Sequence, residues 1–322
     1  MKTSFSKFLL QKLNAKHAQE VELIQSLWSG YGKISRVRLS GTKRQTVVVK
    51  NILLKPVANH PRGWNTNNSH NRKVKSYEIE THWYKEYSNQ CNNSCRLPEF
   101  LGAFSEGDQQ WIVLEDLNLE FPVRKDFLDL DGVKLCLEWL ANFHANFIGK
   151  QPNGLWPIGT YWHLATRPDE LEKLKNQELK IKASVIGDKL NSCKYQTIVH
   201  GDAKLANFCF SEDGSKVAAV DFQYVGGGCG MKDVAYFLGS CLSGEECLVH
   251  EEELLDYYFD KLGSALKVSN SLIDFEELEQ EWRQLYPFAC ADFTRFLLGW
   301  MPTHQKVNDY NLKILDAVLI EL

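Results

Sequence analysis

Apolar and polar positions along this chain follow two different periods, and the change from one to the other divides it. Residues 3–16 read as a short amphipathic helix. Strand patterning follows over residues 21–27, 35–39 and 46–50, broken by Gly30-Tyr31-Gly32 and Ser40-Gly41-Thr42. A polar stretch over 55–72, rich in Asn, His and Pro, reads as a long loop. Helical periodicity runs over about 74–87, and another strand pair is expected at 99–104 and 111–114. Beyond residue 117 helices take over. Residues 132–147 place Val133, Leu137, Leu140, Phe143 and Phe147 on one helical face. A charged helix is expected over 169–190, short strands at 197–199 and 217–220, and helices from 233 to 322. Strands first and helices after predict an α+β protein of two lobes, with the boundary within 115–120.

Composition narrows the class. The 322 residues are 44% hydrophobic and 24% charged, which suits a soluble globular chain with a full core. The net charge of −4 provides no bulk attraction to nucleic acid, so no nucleic-acid partner is expected. No apolar run is long enough to cross a bilayer, and the start lacks the apolar core of a signal peptide. The nine cysteines are scattered, with Cys91 and Cys95 as one local pair and no zinc-site spacing. Free thiols in a reducing cytoplasm are the expectation, with no membrane partner.

The chemistry concentrates in His200-Gly201-Asp202-Ala203-Lys204-Leu205-Ala206-Asn207 and Asp221-Phe222-Gln223. Asp202 follows the apolar pair Ile198-Val199, so a carboxylate is expected at a strand end, able to accept a hydroxyl proton and orient the attacking oxygen. Asn207 offers a neutral oxygen to a hard cation, and Asp221, after the apolar run 217–220, offers a charged one. Such sparse oxygen ligation, completed by water and phosphate, suits Mg²⁺. His200 reads as a hydrogen-bonding scaffold residue. This is the minimum equipment for moving a phosphoryl group from ATP to a hydroxyl. A chance turn with a solvated Asp is the bland alternative.

These motifs resemble the catalytic core of the protein-kinase-like small-molecule phosphotransferases, a superfamily including aminoglycoside phosphotransferases, choline kinases and ecdysteroid kinases. The ecdysteroid-kinase-like branch is the nearest in flavour, through Leu114-Glu115-Asp116-Leu117, Glu80 with Trp83-Tyr84, and Leu140-Ala141-Asn142-Phe143-His144-Ala145. The resemblance covers roughly residues 28–245 and implies a bilobal protein-kinase-like fold. It implies an N-lobe over 1–117 that binds nucleotide, a mainly helical C-lobe over 118–322, ATP and Mg²⁺ as cofactors, and a small hydroxylated substrate.

The resemblance also implies roles residue by residue. Lys50 would contact the α/β-phosphates and Glu80 would pair with it, with Glu78 as the competitor; a snorkelling edge-strand lysine is the alternative for Lys50. Backbone groups of Glu115 and Leu117 would bind adenine. Gly30 and Gly32 would cover the phosphates, although an ordinary hairpin explains them equally well. Lys204 would reach the γ-phosphate or be a surface lysine. Asp233 reads as a helix N-cap, and the resemblance is compatible with its bracing the catalytic loop.

Two departures bear on the acceptor. Gln223 replaces the glycine expected after Asp221-Phe222, and only a short glycine-rich segment reaches Lys232. The peptide-docking platform of a protein Ser/Thr kinase is therefore missing, which favours a small substrate. A non-catalytic nucleotide-binding module is the remaining alternative. His144 reads as a core histidine. Trp282, Tyr286, Phe293, Phe296 and Trp300 recur at nearly helical spacing, and a helix core explains them more simply than an aromatic box; Asp292 and Arg295 interrupt them.

Overall fold

The computed structural model describes all residues but 1, 28–29, 55–66 and 270. The chain divides into two compact units, residues 1–90 with 97–122, and residues 91–96 with 123–322.

The first unit is built on a five-stranded antiparallel sheet. Helix α1 (Thr3–Lys12) leads into β1 (His17–Ser26), β2 (Gly32–Ser40) and β3 (Thr46–Leu53). Helix α2 (Asn67–Glu86) comes next, followed by β4 (Phe100–Glu106) and β5 (Gln109–Glu115). The strand order is β1-β2-β3-β5-β4. Alternation of side chains sorts β3 onto two faces. Val47 and Val49 join Val37, Val113 and Trp111 in a cluster capped by Phe5 and Leu9 of α1. The Phe5 and Trp111 rings stack with centroids 5.0 Å apart. Lys50, one residue out of phase, points to the opposite face, where α2 supplies Glu80.

Helix α2 begins at Asn67, earlier than the apolar period predicted. Its first two turns, Asn67 to Lys73, are polar and carry no apolar stripe to read. Residues 67–72 of the expected loop are therefore helical, and its remainder, 55–66, lies outside the described residues.

The second unit is mainly helical. Helix α3 (Leu130–Phe147) is capped by Asp129, which accepts from the Gly132 N–H, and all five residues of its predicted apolar face are fully buried. The expected helix over 169–190 is two, α4 (Pro168–Glu172) and α5 (Gln177–Asn191), because Asn176 caps a new start by accepting from the Leu179 N–H. Strand β6 (Thr197–Val199) precedes the hairpin of β7 (Phe208–Phe210) and β8 (Val217–Ala219). Strand β9 (Gly226–Gly228) pairs with β6, a strand that its glycines concealed in the sequence. It is pressed so closely that a Cβ on Gly226 would lie 2.2 Å from the Trp156 carbonyl oxygen. Helices α6 (Met231–Cys241), α7 (Gly244–Val268), α8 (Phe275–Trp300) and α9 (Asp309–Glu321) complete the unit. No helix among the described residues is long and apolar enough to cross a membrane.

Candidate active site

In the first unit, Lys50 and Glu80 form a buried ion pair. The Lys50 Nζ lies 2.9 Å from Glu80 Oε1 and 2.7 Å from Oε2. Glu78, two positions away on α2, is exposed, so the helix presents Glu80 and not Glu78 to the sheet. The Lys50 ammonium also lies 5.5 Å from the Tyr77 ring centre. Gly30 and Gly32 belong to the β1–β2 turn, in which the Leu27 N–H donates to the Gly32 carbonyl. Gly32 has φ +132°, and a Cβ there would fall 2.0 Å from the Asn51 carbonyl oxygen, so close strand approach alone demands glycine at this position. The Glu115 N–H is engaged by the Glu99 carbonyl, and the Leu117 carbonyl accepts from Glu120 and Phe121. Between them Asp116 is held below the usual carboxylate range: burial pushes it up most strongly of any one cause, but several hydrogen bonds, led by that of the Arg36 guanidinium at 2.6 Å, together outweigh it.

In the second unit, the loop after β6 carries Asp202, and its backbone is fixed from below. The Asp233 carboxylate accepts from the His200 N–H at 2.5 Å and the Gly201 N–H at 2.9 Å. Asp233 is not the N-cap of α6, which is Gly230; it sits in the first turn, where its side chain reaches the loop. His144 contacts the same Asp233 oxygen that accepts from the His200 N–H, with Nε2 3.2 Å from Oδ2, and its Nδ1 lies 2.8 Å from the Tyr258 hydroxyl. His200 is fully buried, and burial pushes its pKa down. Its Nε2–H donates to the Val220 carbonyl at 3.1 Å, and Nδ1 accepts from the Asp202 N–H at 3.2 Å, the pattern of a neutral imidazole. His200 thereby ties the Asp202 loop to the end of β8.

Four side chains converge on Asp202. The Tyr236 hydroxyl donates to Oδ1 at 3.1 Å, while Lys204 Nζ and Asn207 Nδ2 each donate to Oδ2 at 3.1 Å. Asn207 Nδ2 also donates to the Asp202 carbonyl at 2.8 Å. Both bonds use the nitrogen of the amide and leave its oxygen for another partner. Burial lowers the Lys204 pKa, but the charges of Asp202 and Asp221 outweigh it and hold the ammonium above its ordinary value. Tyr161, the fourth, is in electrostatic reach of Asp202; its phenol is pushed up, first by burial and then by that carboxylate.

Asn207 and Asp221 reach the same end of the β7–β8 hairpin. The register pairs Phe208 with Ala219, and the Val220 N–H donates to the Asn207 carbonyl at 2.9 Å, so Asp221 follows directly. Asp221 takes φ +71°, a left-handed conformation unusual for a residue with a Cβ, and Gln223 Nε2 donates to its Oδ1. Nearby Thr160, β-branched, takes φ +98°, and its N–H donates to the Tyr224 carbonyl at 3.1 Å. The Tyr161 N–H then donates to the Gly201 carbonyl at 3.1 Å. Strained backbone thus falls at two non-glycine residues beside one carboxylate loop, held there by the surrounding hydrogen bonds. Sequence reasoning missed Tyr236, because a tyrosine inside the apolar run of α6 reads as core, and Tyr161, because it stands in a segment with no period; the carboxylate beside them comes only with folding.

The aromatic stretch of α8 divides. Trp282 is buried in the core, its Nε1–H donating to the Tyr195 carbonyl, and Tyr286 is buried beside Tyr310. Phe293, Phe296 and Trp300 instead pack with Trp162 and Tyr236. Asp292 and Arg295 pair with each other in the interior, with Trp162 Nε1–H on Asp292. Among the described residues no group of three or more His, Cys, Asp or Glu is arranged to hold a metal. Asn207 and Asp221 are two oxygen donors, a set that fits a cation retaining water and phosphate oxygens. All nine cysteines are free thiols.

A family model described as "Uncharacterized oxidoreductase dhs-27" (DUF1679) matches residues 169–308. The structure of the microcompartment-associated aminopropanol kinase is similar over 98% of this chain and 94% of that chain, at 15% identity and a TM-score of 0.54. A putative fructosamine-3-kinase from Haemophilus somnus 129PT matches over 98% and 95%, at 13% identity and a TM-score of 0.49. No curated protein matches the sequence significantly.

Proposed function

We propose that this chain, which has the fold of the protein-kinase-like small-molecule phosphotransferases, is an ATP- and Mg²⁺-dependent kinase of a small hydroxylated molecule. The observation that carries the reading is the set around Asp202: a carboxylate held by Tyr236, Lys204 and Asn207, with Asp221 at the end of the same hairpin as Asn207. Phosphoryl transfer asks the protein for positioning and charge neutralisation more than for covalent chemistry.

In this reading Asp202 accepts the acceptor's hydroxyl proton as the new O–P bond forms and the bond between the γ-phosphorus and the bridging oxygen breaks, releasing ADP. Lys204 neutralises charge on the transferred group. Lys50, aimed by Glu80, holds phosphate oxygens, and Glu115 and Leu117 offer backbone groups to adenine. Asn207 and Asp221 would hold Mg²⁺, which supplies electrostatic neutralisation of the phosphates. His200 and Asp233 keep the Asp202 loop in shape. The first unit would then be the nucleotide-binding region and the second the catalytic and substrate-binding one.

The word oxidoreductase in the matching family's description points elsewhere, but the sheet carries an argument against a dinucleotide fold. The strands of all three described sheets pair antiparallel. A dinucleotide-binding crossover needs parallel neighbours.

The test is ADP release from Mg·ATP across a panel of sugars, steroids, amino alcohols, choline, aminoglycosides and hydroxy acids, with Asp202→Asn as the blank and nucleotide binding measured in parallel. An acceptor-dependent signal lost in the variant supports the kinase. Binding of Mg·ATP with no turnover on any acceptor supports a nucleotide-binding module instead, and no binding removes both.

A further inference from the structure

The described residues next to Asp202 carry an arrangement that bears on the acceptor's charge. The Tyr236 ring links two groups: its hydroxyl donates to Asp202, and the Lys306 ammonium lies 4.9 Å from its centre. The same ammonium lies 5.6 Å from the centre of Phe293. Lys306 therefore stands one tyrosine ring away from the candidate base.

Lys306 differs from the other enclosed lysines among the described residues. Lys50 has Glu80, and Lys232 Nζ donates to the Asn191 side-chain Oδ1 at 3.2 Å. Lys204 has Asp202. Among the described residues the Lys306 ammonium has no hydrogen-bond or ion-pair partner, only the two ring faces. Burial pulls its pKa down to about 8, against the pull of Cys241 and Asp202 and with that of Lys204. A half-desolvated ammonium without an anion is costly to keep, and ring faces alone compensate for only part of that cost.

The rings around it are covered in the same way. The Arg167 guanidinium lies 5.6 Å from the centre of Tyr161 and 5.1 Å from that of Phe296, while bonding the Tyr161 carbonyl and Glu170. An aromatic cage for a cationic ligand requires open ring faces, and here a side-chain cation already takes a face of Tyr161, Tyr236, Phe293 and Phe296.

Resting on the kinase reading above, we propose that the acceptor carries an anionic group, a carboxylate or a phosphate, which Lys306 binds while the acceptor's hydroxyl stands at Asp202. Cationic alcohols are excluded by Lys306 and Arg167. The acceptor's hydroxyl and acid are spaced by about one aromatic ring or a short chain. Lys306 is thus a specificity residue of the acceptor side, and Tyr236 is the ring that separates the two contacts.

The experiment uses the full chain and matched sets of hydroxy acids, aromatic and aliphatic, each compared with its methyl ester and with the amine of the same skeleton. Binding is read by calorimetry, for the native protein, Lys306→Met and Lys306→Arg. Hydroxyalkyl phosphates form a second arm, separating phosphate from carboxylate. At least one acid or phosphate should bind about tenfold or more tighter than its neutral counterpart, with the amine weakest, which corresponds to about 1.4 kcal/mol. Lys306→Met should abolish that preference, Lys306→Arg should keep part of it, and all three proteins should bind Mg·ATP equally. Acids bound no tighter than esters, a preference that survives Lys306→Met, or no binding by any acid or phosphate would each overturn the proposal. ADP release measured on the same samples separates the two readings. Turnover of neutral or cationic alcohols alone keeps the kinase and removes the anion site, whereas charge preference without turnover of any acceptor does the reverse.

Discussion

The two units place their chemistry by opposite means. Lys50 and Glu80 lie on regular elements, a central strand and a long helix, and their meeting follows from strand alternation and helix rotation. They neutralise each other in the interior. The Asp202 set lies on irregular backbone: a glycine at φ +79°, a left-handed Asp221 and a left-handed Thr160. Nothing in a repeating period holds such a loop. Its shape is set by Asp233, His200 and His144, each of which spends its hydrogen bonds on other parts of the site. Regular structure can aim a side chain with its own geometry, whereas a loop needs buried polar groups to do so, and those groups become as indispensable as the ones they aim.

The contrast can be broken at either end. Glu80→Ala should have the largest effect on stability, because it takes the carboxylate away from the buried Lys50 ammonium, at a cost of about 3–5 kcal/mol. Chemical denaturation would measure it, and a cost below about 1 kcal/mol would mean that the pair is solvated. Asp202→Asn should leave the fold and nucleotide binding intact while transfer falls by ~10²-fold or more, the scale for a positioned base. Unchanged turnover would remove Asp202 from that role.

Asp233→Asn tests the brace. An amide has one acceptor oxygen where the carboxylate has two, so one loop N–H loses its partner, costing about 1–3 kcal/mol. Stability should fall by that amount, and turnover should fall further than the equivalent change at the helix surface. Equal stability in the variant would show that the loop holds its own shape.

The smallest effect concerns pH. Burial, followed by the charges of Lys232 and Arg295 against Asp292, holds His163 down to about 4, below its ordinary 6.5. The unfolded chain therefore binds the extra proton first, so this contribution to stability is complete above about pH 6.5 and is lost as pH falls toward 4. His163→Gln should flatten the melting temperature over that window. An unchanged pH slope in the variant would show that other groups control it.

Much of this was legible in the chain. The five-residue stripe of α3 follows the helical period because burial on one face requires it, and all five residues are buried. The strand–loop–strand spacing around Asp202 was legible because a carboxylate after an apolar run has few other uses. The start of α2 was not, since its first turns are polar and a helix without an apolar face leaves no period. Strand β9 was hidden for the opposite reason: three glycines signal a loop, yet contact of Gly226 with Trp156 and of Gly227 with Pro157 leaves no room for a side chain at either.

The sequence by itself determined the α+β class, the order of those elements that carry an apolar period, and the residues that carry charge and side-chain oxygen, because these depend on local periodicity and residue type. The tertiary structure alone decided which partner each received. It selected Glu80 over Glu78, took Asp233 from the helix cap to the loop, divided the α8 aromatics between two buried clusters, and brought Tyr236 between Asp202 and Lys306. Those choices turn on distances between residues far apart in the chain, and the free energy of burying a polar group depends on what stands opposite it.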